Sequence, residues 1–256
     1  MNAVVIGGSR GVGLAVARQL ANSYEKICIV SREKHNLEKA LLSIGDSKSE
    51  LFIYQGDVSE KHFGHQLFKY LQDQNFGVTN TLICNAGGPP QKFFLDTTEA
   101  EWDSVIETSL LGQIRIVREF IPQMVELDFG RIVFISSTVA KEPSPAMVLS
   151  ATARSGLSAF VKAISSEFAK FNITMNVICL GGVLTERLNS LIENSASSQK
   201  IDAANVREKI VDSIPIGRFA KPEEIANLVT FLVSPEASYI TGTSISIDGG
   251  LSKAFF

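Results

Sequence analysis

A short apolar run, followed at once by a glycine-rich turn and a helical pattern, constrains the fold of this chain more than any other feature. The run covers residues 3–6, and Gly7, Gly11 and Gly13 follow it at spacings of four and two residues. This order is typical of a β-strand that turns tightly into an α-helix. Glycines let the backbone adopt positive φ and approach a ligand, and the helix N-terminus favours an anion. The turn therefore predicts a cradle for the pyrophosphate of a dinucleotide.

The spacing of these glycines departs from the dinucleotide fingerprint G-x-G-x-x-G, because the turn reads G-x-x-x-G-x-G. A glycine-rich turn that binds no ligand is therefore the alternative interpretation of this stretch taken alone. Support for a nucleotide has to come from the rest of the chain.

Short apolar runs alternate with helical patterns along the rest of the chain. We therefore expect an α/β fold, a doubly wound parallel sheet of the Rossmann type with about seven strands and helices on both faces. Ligands of such sheets bind outside the carboxyl ends of the strands. The later runs lie at residues 27–30, 51–55, 81–84, 131–137 and 173–180.

Length and composition narrow the class of protein. The 256 residues, 45% of them hydrophobic, are enough for one large core, so we expect a single dinucleotide-binding domain over residues 1–256. A net charge of −3 without a long basic block predicts neither a nucleic-acid nor a membrane partner. Since the first strand begins within the first few residues, a cytoplasmic protein is expected. The three cysteines lie far apart along the chain, so no metal site is expected.

The residues at the end of the second apolar run indicate whether the cofactor is NAD or NADP. A carboxylate in this position binds the ribose 2′-hydroxyl of NAD, whereas an arginine accommodates the 2′-phosphate of NADP. This chain has Ser31 and Arg32 there, and Arg10 lies within the glycine turn. NADP is therefore the favoured cofactor, and NAD is the less favoured one. The alternative is that Arg32 merely begins a solvated helix.

Further motifs follow the glycine turn in a fixed order. They are Asp57-Val58, Asn85-Ala86-Gly87, the stretch at residues 214–225, and Ile247-Asp248-Gly249-Gly250. In order and spacing they resemble the motifs of the short-chain dehydrogenase/reductase family. The C-terminal part is similar to the β-ketoacyl-carrier-protein reductase branch, and the resemblance covers essentially the whole chain.

The resemblance extends to the segment after the run at residues 173–180. In the family, a valine backbone and a threonine hydroxyl of this loop meet the nicotinamide carboxamide, and Val183 and Thr185 match them, although Leu180 replaces the usual proline. The residues expected to contact NADP are Gly7, Ser9, Arg10, Gly11, Val12, Gly13, Ser31, Arg32, Asp57, Val58, Asn85, Ala86, Gly87, Gly181, Val183 and Thr185.

The positions that match the catalytic tetrad of the family differ from its usual Asn-Ser-Tyr-Lys pattern. They hold Ser109, Ser137, Ser150 and Arg154, so only the serine is kept. The serine and arginine in place of tyrosine and lysine look similar to a minority, reductase-like subgroup in which the tetrad is imperfect.

These replacements change the expected chemistry. A tyrosine phenol beside a cation can exchange a proton near neutral pH, whereas a serine hydroxyl is far less acidic. Arg154 stays cationic, so it can stabilise an oxyanion or bind a carboxylate but cannot relay protons. We expect Ser137 and Arg154 to polarise a substrate oxygen. Lys141 or a bound water is the candidate proton donor, with Glu142 beside it; the alternative is that both side chains belong to a solvated loop.

Three classes of function remain open at this point. The leading one is an NADP-binding oxidoreductase, similar to 3-oxoacyl reductases, that acts on a carbonyl or alcohol of a small-molecule substrate. The second is an isomerase, dehydratase or decarboxylase in which Arg154 stabilises an enolate. The third is a catalytically silent, cofactor-sensing subunit. Residues 186–213 are expected to form a substrate lid, and the family resemblance implies a homodimer or homotetramer.

The assignment of Arg32 to the 2′-phosphate yields a direct prediction. Arg32→Asp removes the cation and adds an anion, so it should weaken NADPH binding far more than NADH binding. Fluorescence titration of the two reduced cofactors measures both affinities. Equal losses for NADPH and NADH would remove Arg32 from the phosphate site.

Overall fold

The computed structural model describes residues 1–255 and contains one parallel sheet of seven strands. The strand order is β3-β2-β1-β4-β5-β6-β7, with every neighbouring pair parallel. The doubly wound α/β fold expected from the sequence is therefore confirmed. The strands are β1 Asn2–Ile6, β2 Lys26–Ser31, β3 Glu50–Gln55, β4 Thr81–Asn85, β5 Gly130–Ser137, β6 Ile173–Leu180 and β7 Ser244–Ile247.

The helices cover both faces of this sheet, and they connect the strands in turn. They are α1 Gly11–Leu20, α2 Lys34–Ile44, α3 Phe63–Asp73, α4 Glu99–Ile106, α5 Gly112–Glu126, α6 Val148–Phe168, α7 Glu186–Gln199, α8 Ala203–Asp212 and α9 Pro222–Leu232. A π-helical turn, Glu107–Leu111, joins α4 to α5.

Two hydrophobic cores lie on opposite faces of the sheet because successive side chains of a strand point in opposite directions. Val4 of β1 belongs to the core that contains Phe120 of α5 and Leu157 of α6. Its neighbour Val5 belongs to the core that contains Val229 of α9. The central strands are buried on both faces, which explains why they read as continuous apolar runs rather than alternating ones.

The sheet changes direction between β1 and β4. The chain first winds from β1 outward through β2 to β3, and then returns to place β4 on the other side of β1. Connections on either side of such a point leave the sheet in opposite directions and open a crevice at the carboxyl ends of the strands. The glycine turn after β1 lies at this crevice.

Helices α7 and α8 cover residues 186–199 and 203–212, within the segment for which a lid is predicted. Both pack around a small separate cluster that includes Ile192, Val206 and Phe219. Among the described residues, no helix combines the length and the apolar character needed to cross a membrane.

Gly112 at the start of α5 is a sensitive point of the fold. A methyl group on its Cα would overlap the carbonyl oxygen of Val58, which is backbone and cannot rotate away. We expect Gly112→Ala to lower the free energy of unfolding by about 1–3 kcal/mol, as overpacking does elsewhere. Urea denaturation measures the change.

Gly64→Ala in the neighbouring α3 provides the matched control. Its new methyl group would lie 3.4 Å from the carbonyl oxygen of Arg115, an ordinary contact. Alanine is also the better helix former by about 1 kcal/mol. Gly64→Ala should therefore be neutral or slightly stabilising, and equal destabilisation by both substitutions would contradict the argument.

Candidate cofactor and active site

The glycine turn has the conformation that its sequence predicts. Gly7 and Gly11 have φ values of 65° and 54°, in the left-handed region that favours glycine. A side chain on Gly13 would overlap the carbonyl oxygen of Gly7, so helix and turn pack with no room for a Cβ atom. Helix α1 has neither a side-chain cap nor an acidic residue in its first turn. Its first N–H groups are therefore free to bind an anion, and this arrangement fits a dinucleotide pyrophosphate.

The end of β4 borders the same turn. The side-chain amide Nδ2 of Asn85 donates a hydrogen bond to the carbonyl oxygen of Gly7 at 3.2 Å, which ties β4 to the turn. The space around the Cα of Gly87 is open, with no heavy atom within 4 Å of the position that a Cβ would take. These small residues leave room for a flat ligand to lie across the carboxyl edge of the sheet.

The ends of β2 and β3 form the opposite part of the crevice. The hydroxyl groups of Ser9 and Ser31 are hydrogen-bonded at 2.9 Å, so the glycine turn contacts the end of β2 directly. The Arg32 guanidinium lies 3.8 Å from the Asp57 carboxylate, beside a cleft of about 540 Å³. The other carboxylate oxygen of Asp57 accepts hydrogen bonds from the N–H and hydroxyl groups of Ser59. Arg32 and Asp57, which are both expected to contact NADP, thus line the same cleft.

Arg10 takes a different direction from the other predicted phosphate ligands. Its guanidinium pairs with Glu186 of α7 at 3.2 Å, and both side chains are exposed. Exposed pairs contribute little to stability. This pair nevertheless connects the glycine turn to α7. A contact between Arg10 and the 2′-phosphate stays a prediction.

The loop after β6 closes the site from the side opposite β2. The backbone of this loop pairs with residue Ala220, because Leu184 N donates to Ala220 O and Ala220 N donates to Gly182 O. Thr185 caps α7 by accepting a hydrogen bond from Leu188 N at 3.3 Å. The Cγ2 atom of Thr185 also lies 3.1 Å from the position of a Cβ on Gly11. The loop that contains Gly181, Val183 and Thr185 is thus in contact with the glycine turn.

Ser150 and Arg154 lie one helical turn apart on α6, at the carboxyl end of β5. Arg154 Nε donates to the hydroxyl oxygen of Ser150 at 3.1 Å, and Arg154 Nη1 donates to the carbonyl oxygen of Ile135 at 3.5 Å. Burial, with a smaller effect of the nearby Arg187 charge, lowers the pKa of the Arg154 guanidinium to about 10. Arg154 therefore remains a cation at neutral pH. Ser137 ends β5, and its hydroxyl oxygen accepts a long hydrogen bond from Val139 N.

The Glu142 carboxylate is hydrogen-bonded to the C-terminal segment. One carboxylate oxygen accepts hydrogen bonds from the Ser252 hydroxyl at 2.8 Å and from Lys253 N at 2.7 Å. These hydrogen bonds lower the pKa of Glu142. The Glu142 carboxylate thus binds the C-terminal segment, and a part for Glu142 in proton transfer stays a prediction.

The charge of Lys141 acts on Cys179, near the end of β6. Burial raises the pKa of the Cys179 thiol, while the charges of Lys141 and Arg154 both lower it. Both cations therefore lie near the end of β6. The 3₁₀ turn before Lys141 is held to α6 because the Ser155 hydroxyl donates to the carbonyl oxygen of Ala140 at 2.9 Å.

Ser109 is the candidate residue whose side chain forms no hydrogen bond to the other candidates. It is buried in the π-helical turn, and its hydroxyl oxygen has no hydrogen-bond partner among the described residues. Its carbonyl oxygen accepts a hydrogen bond from Gln113 Nε2 at 3.0 Å. Neither Ser150 nor Arg154 is hydrogen-bonded to Ser109.

Arg187 is a residue of this site that the sequence analysis missed. It follows Thr185 by two positions at the start of α7, and its Nη2 donates to the carbonyl oxygen of Pro89 at 2.7 Å. Helix α7 thereby contacts the loop after β4. The sequence signal that could have identified Arg187 is a basic residue just after the predicted nicotinamide loop.

Comparison with known proteins agrees with this geometry. A family model described as Enoyl-(Acyl carrier protein) reductase matches residues 6–252. The chain belongs to the short-chain dehydrogenase/reductase family. Both its sequence and its fold agree with those of the oxidoreductases of this family.

Individual relatives span the full length of the chain. The NADPH-dependent reductase BacG of Bacillus subtilis is 31% identical over 254 residues, covering 98% of each chain. The 3-oxoacyl-(acyl-carrier-protein) reductase FabG of Staphylococcus epidermidis is 29% identical over 251 residues, again covering 98% of each. A crystal structure of a variant actinorhodin polyketide ketoreductase with NADPH has a TM-score of 0.93 at 28% identity, covering 98% of this chain and 97% of that one.

The contact made by Glu142 predicts a measurable change in the C-terminal segment. Because the folded pKa of Glu142 is lowered, the contact is present at neutral pH and is lost as the pH falls through that lowered pKa. Glu142→Gln removes the charged acceptor at neutral pH. Hydrogen–deuterium exchange of the peptide containing Lys253 should therefore become faster in this variant. Glu193→Gln, on the lid helix α7, serves as the control and should leave this exchange unchanged.

Proposed function

We propose that this protein is an NADP-dependent oxidoreductase that reduces the carbonyl group of a small-molecule substrate, with an unusual source for the proton. The observation that carries the proposal is the position of Arg154. Its guanidinium is held by Ser150 and by the carbonyl oxygen of Ile135 at the carboxyl end of β5, inside the cofactor crevice. A fixed cation in that place faces the region where a carbonyl oxygen would gain negative charge.

NADP(H) is the cofactor that the site and the relatives support. The free N–H groups of α1 suit a pyrophosphate, and Arg32 supplies a cation at the end of β2, where no carboxylate takes its place. BacG of Bacillus subtilis is described as NADPH-dependent. When bound, the nicotinamide supplies the hydride.

The side chains of this protein then have separate tasks. Ser137 and Arg154 donate hydrogen bonds to the substrate oxygen and stabilise the charge that develops on it, an effect worth about 10²–10³ in rate per donor. Lys141, or a water molecule bound to it, delivers the proton to that oxygen. Ser150 orients the Arg154 guanidinium through the 3.1 Å hydrogen bond, so it is a positioning residue.

Two further parts of the proposal concern the assembly and the lid. Residues 186–213 cover the substrate, and α4, α5 and α6 supply the surfaces for a homodimer or homotetramer, as the family resemblance implies. The fold supports the lid assignment, since α7 contacts the glycine turn and the loop after β4.

Stopped-flow measurement of NADPH oxidation by a panel of ketones and β-ketoacyl thioesters tests the proposal. We expect hydride transfer with at least one carbonyl compound. Tight NADPH binding without transfer to any compound would overturn the proposal and favour a silent subunit. Conversion of an unsaturated or hydroxylated substrate without net NADPH consumption would favour a non-redox enzyme.

Lys141→Met isolates the proton donor in the same experiment. It should lower the rate of reduction by about 10²–10⁴-fold, the range for general acid catalysis, and leave NADPH affinity unchanged. Lys170→Met, in the 3₁₀ turn Ala169–Phe171 that follows α6, provides the control and should keep the full rate. A full rate in Lys141→Met would exclude an essential role of this amine.

A further inference from the structure

Two arginines from different helices converge on the loop after β4. A methyl group placed on the Cα of Gly88 would lie 3.5 Å from Nη2 of Arg154 and 3.6 Å from Nη2 of Arg187. Arg154 is part of α6, and Arg187 is part of the lid helix α7. Two positively charged groups therefore face one point at the mouth of the candidate active site.

Neither guanidinium has an acidic partner in the described chain. Within residues 1–255, no carboxylate lies within 4.0 Å of either one. The acidic side chains nearest along the chain have other partners: Glu186 pairs with Arg10, and Glu142 accepts hydrogen bonds from Ser252 and Lys253. The two positive charges are thus left without compensation by the protein.

The proximity of the two cations is unfavourable until an anion binds. Burial lowers the pKa of Arg154, and the charge of Arg187 acts in the same direction. Like charges at short range disfavour each other, and an anion between them removes that cost. Each guanidinium also keeps N–H groups without a partner, because the known hydrogen bonds use only Nε and Nη1 of Arg154 and one Nη2 of Arg187.

We propose that Arg154 and Arg187 together select a substrate that carries a carboxylate next to its reducible carbonyl, a 2-oxo acid. Arg154 binds the carbonyl oxygen, and Arg187 binds the carboxylate, for which a planar guanidinium is the best-matched side chain. The inference rests on the proposed function. The reaction is balanced as follows: the carbonyl carbon gains a hydride from NADPH, its oxygen gains a proton, and the products are a 2-hydroxy acid and NADP⁺.

The competing occupant of this pair is a phosphate of the cofactor itself. The α1 N-terminus and Arg32 already provide sites for the phosphates of NADP on the other side of the crevice. Arg187 instead reaches the Pro89 carbonyl beyond the end of β4. This placement favours the substrate, and the cofactor becomes an outcome of the test.

Reduction of 2-oxooctanoate and of its uncharged methyl ester by NADPH tests the selection in the full-length protein. The wild type should prefer the acid. Arg187→Gln should lower kcat/KM for the acid by about 10- to 100-fold, as expected for a charge-assisted hydrogen bond, and change that for the ester by less than about threefold. NADPH affinity should stay the same. Arg18→Gln, which removes the charge of an exposed arginine in the last turn of α1, should change neither value.

Two results would overturn the inference. Equal losses for acid and ester would show that Arg187 does not contact the carboxylate, and weaker NADPH binding in Arg187→Gln would assign this guanidinium to the cofactor.

A binding measurement separates this inference from the proposed reduction. Calorimetric titration of the NADPH complex with N-hexyloxamate, a 2-oxo acid analogue that cannot be reduced, needs no turnover. Binding that is lost in Arg187→Gln supports the carboxylate site even if no substrate is reduced. Absence of binding to the wild type would overturn the carboxylate site whatever the enzyme reduces.

Discussion

The contact between the glycine turn and the end of β4 is the constraint on which the rest of the structure depends. Asn85 donates to the Gly7 carbonyl oxygen, and a side chain on Gly7 would overlap the carbonyl oxygen of Asn85. β1 and β4 therefore approach closely at the point where the sheet reverses its winding direction. Because α1 begins directly after this contact with uncapped N–H groups, the contact also determines where an anionic ligand can bind.

A fixed cation characterises the chemistry of the site. The guanidinium of Arg154 is held by two hydrogen bonds and has no carboxylate partner within residues 1–255. Such a group stabilises negative charge but does not give up its proton at neutral pH. Glu142 is bound to the C-terminal segment, which leaves Lys141 as the titratable side chain that the proposal uses. The proposed function therefore assigns charge stabilisation and proton delivery to different side chains.

The sequence predicted the fold more completely than the site. The glycine spacing and the alternating apolar runs were sufficient for the parallel sheet, since both patterns act within short stretches of chain. The pairing of Ser150 with Arg154 could also be predicted from the sequence, because residues four apart share a helix face. The lack of a hydrogen-bond partner for the Ser109 hydroxyl among the described residues could not be predicted, since it depends on how the π-helical turn orients a buried side chain.

The sequence by itself determined the order of strands and helices along the chain, the conformation of the glycine turn and the spacing that places Ser150 and Arg154 on one helix face. These features depend on residues close together in the chain. Only the tertiary structure decided that Glu142 binds Ser252, 110 positions away, and that Arg187 reaches Pro89, 98 positions away. No local pattern encodes such contacts, because they arise when the packed sheet brings the loops at its carboxyl edge together.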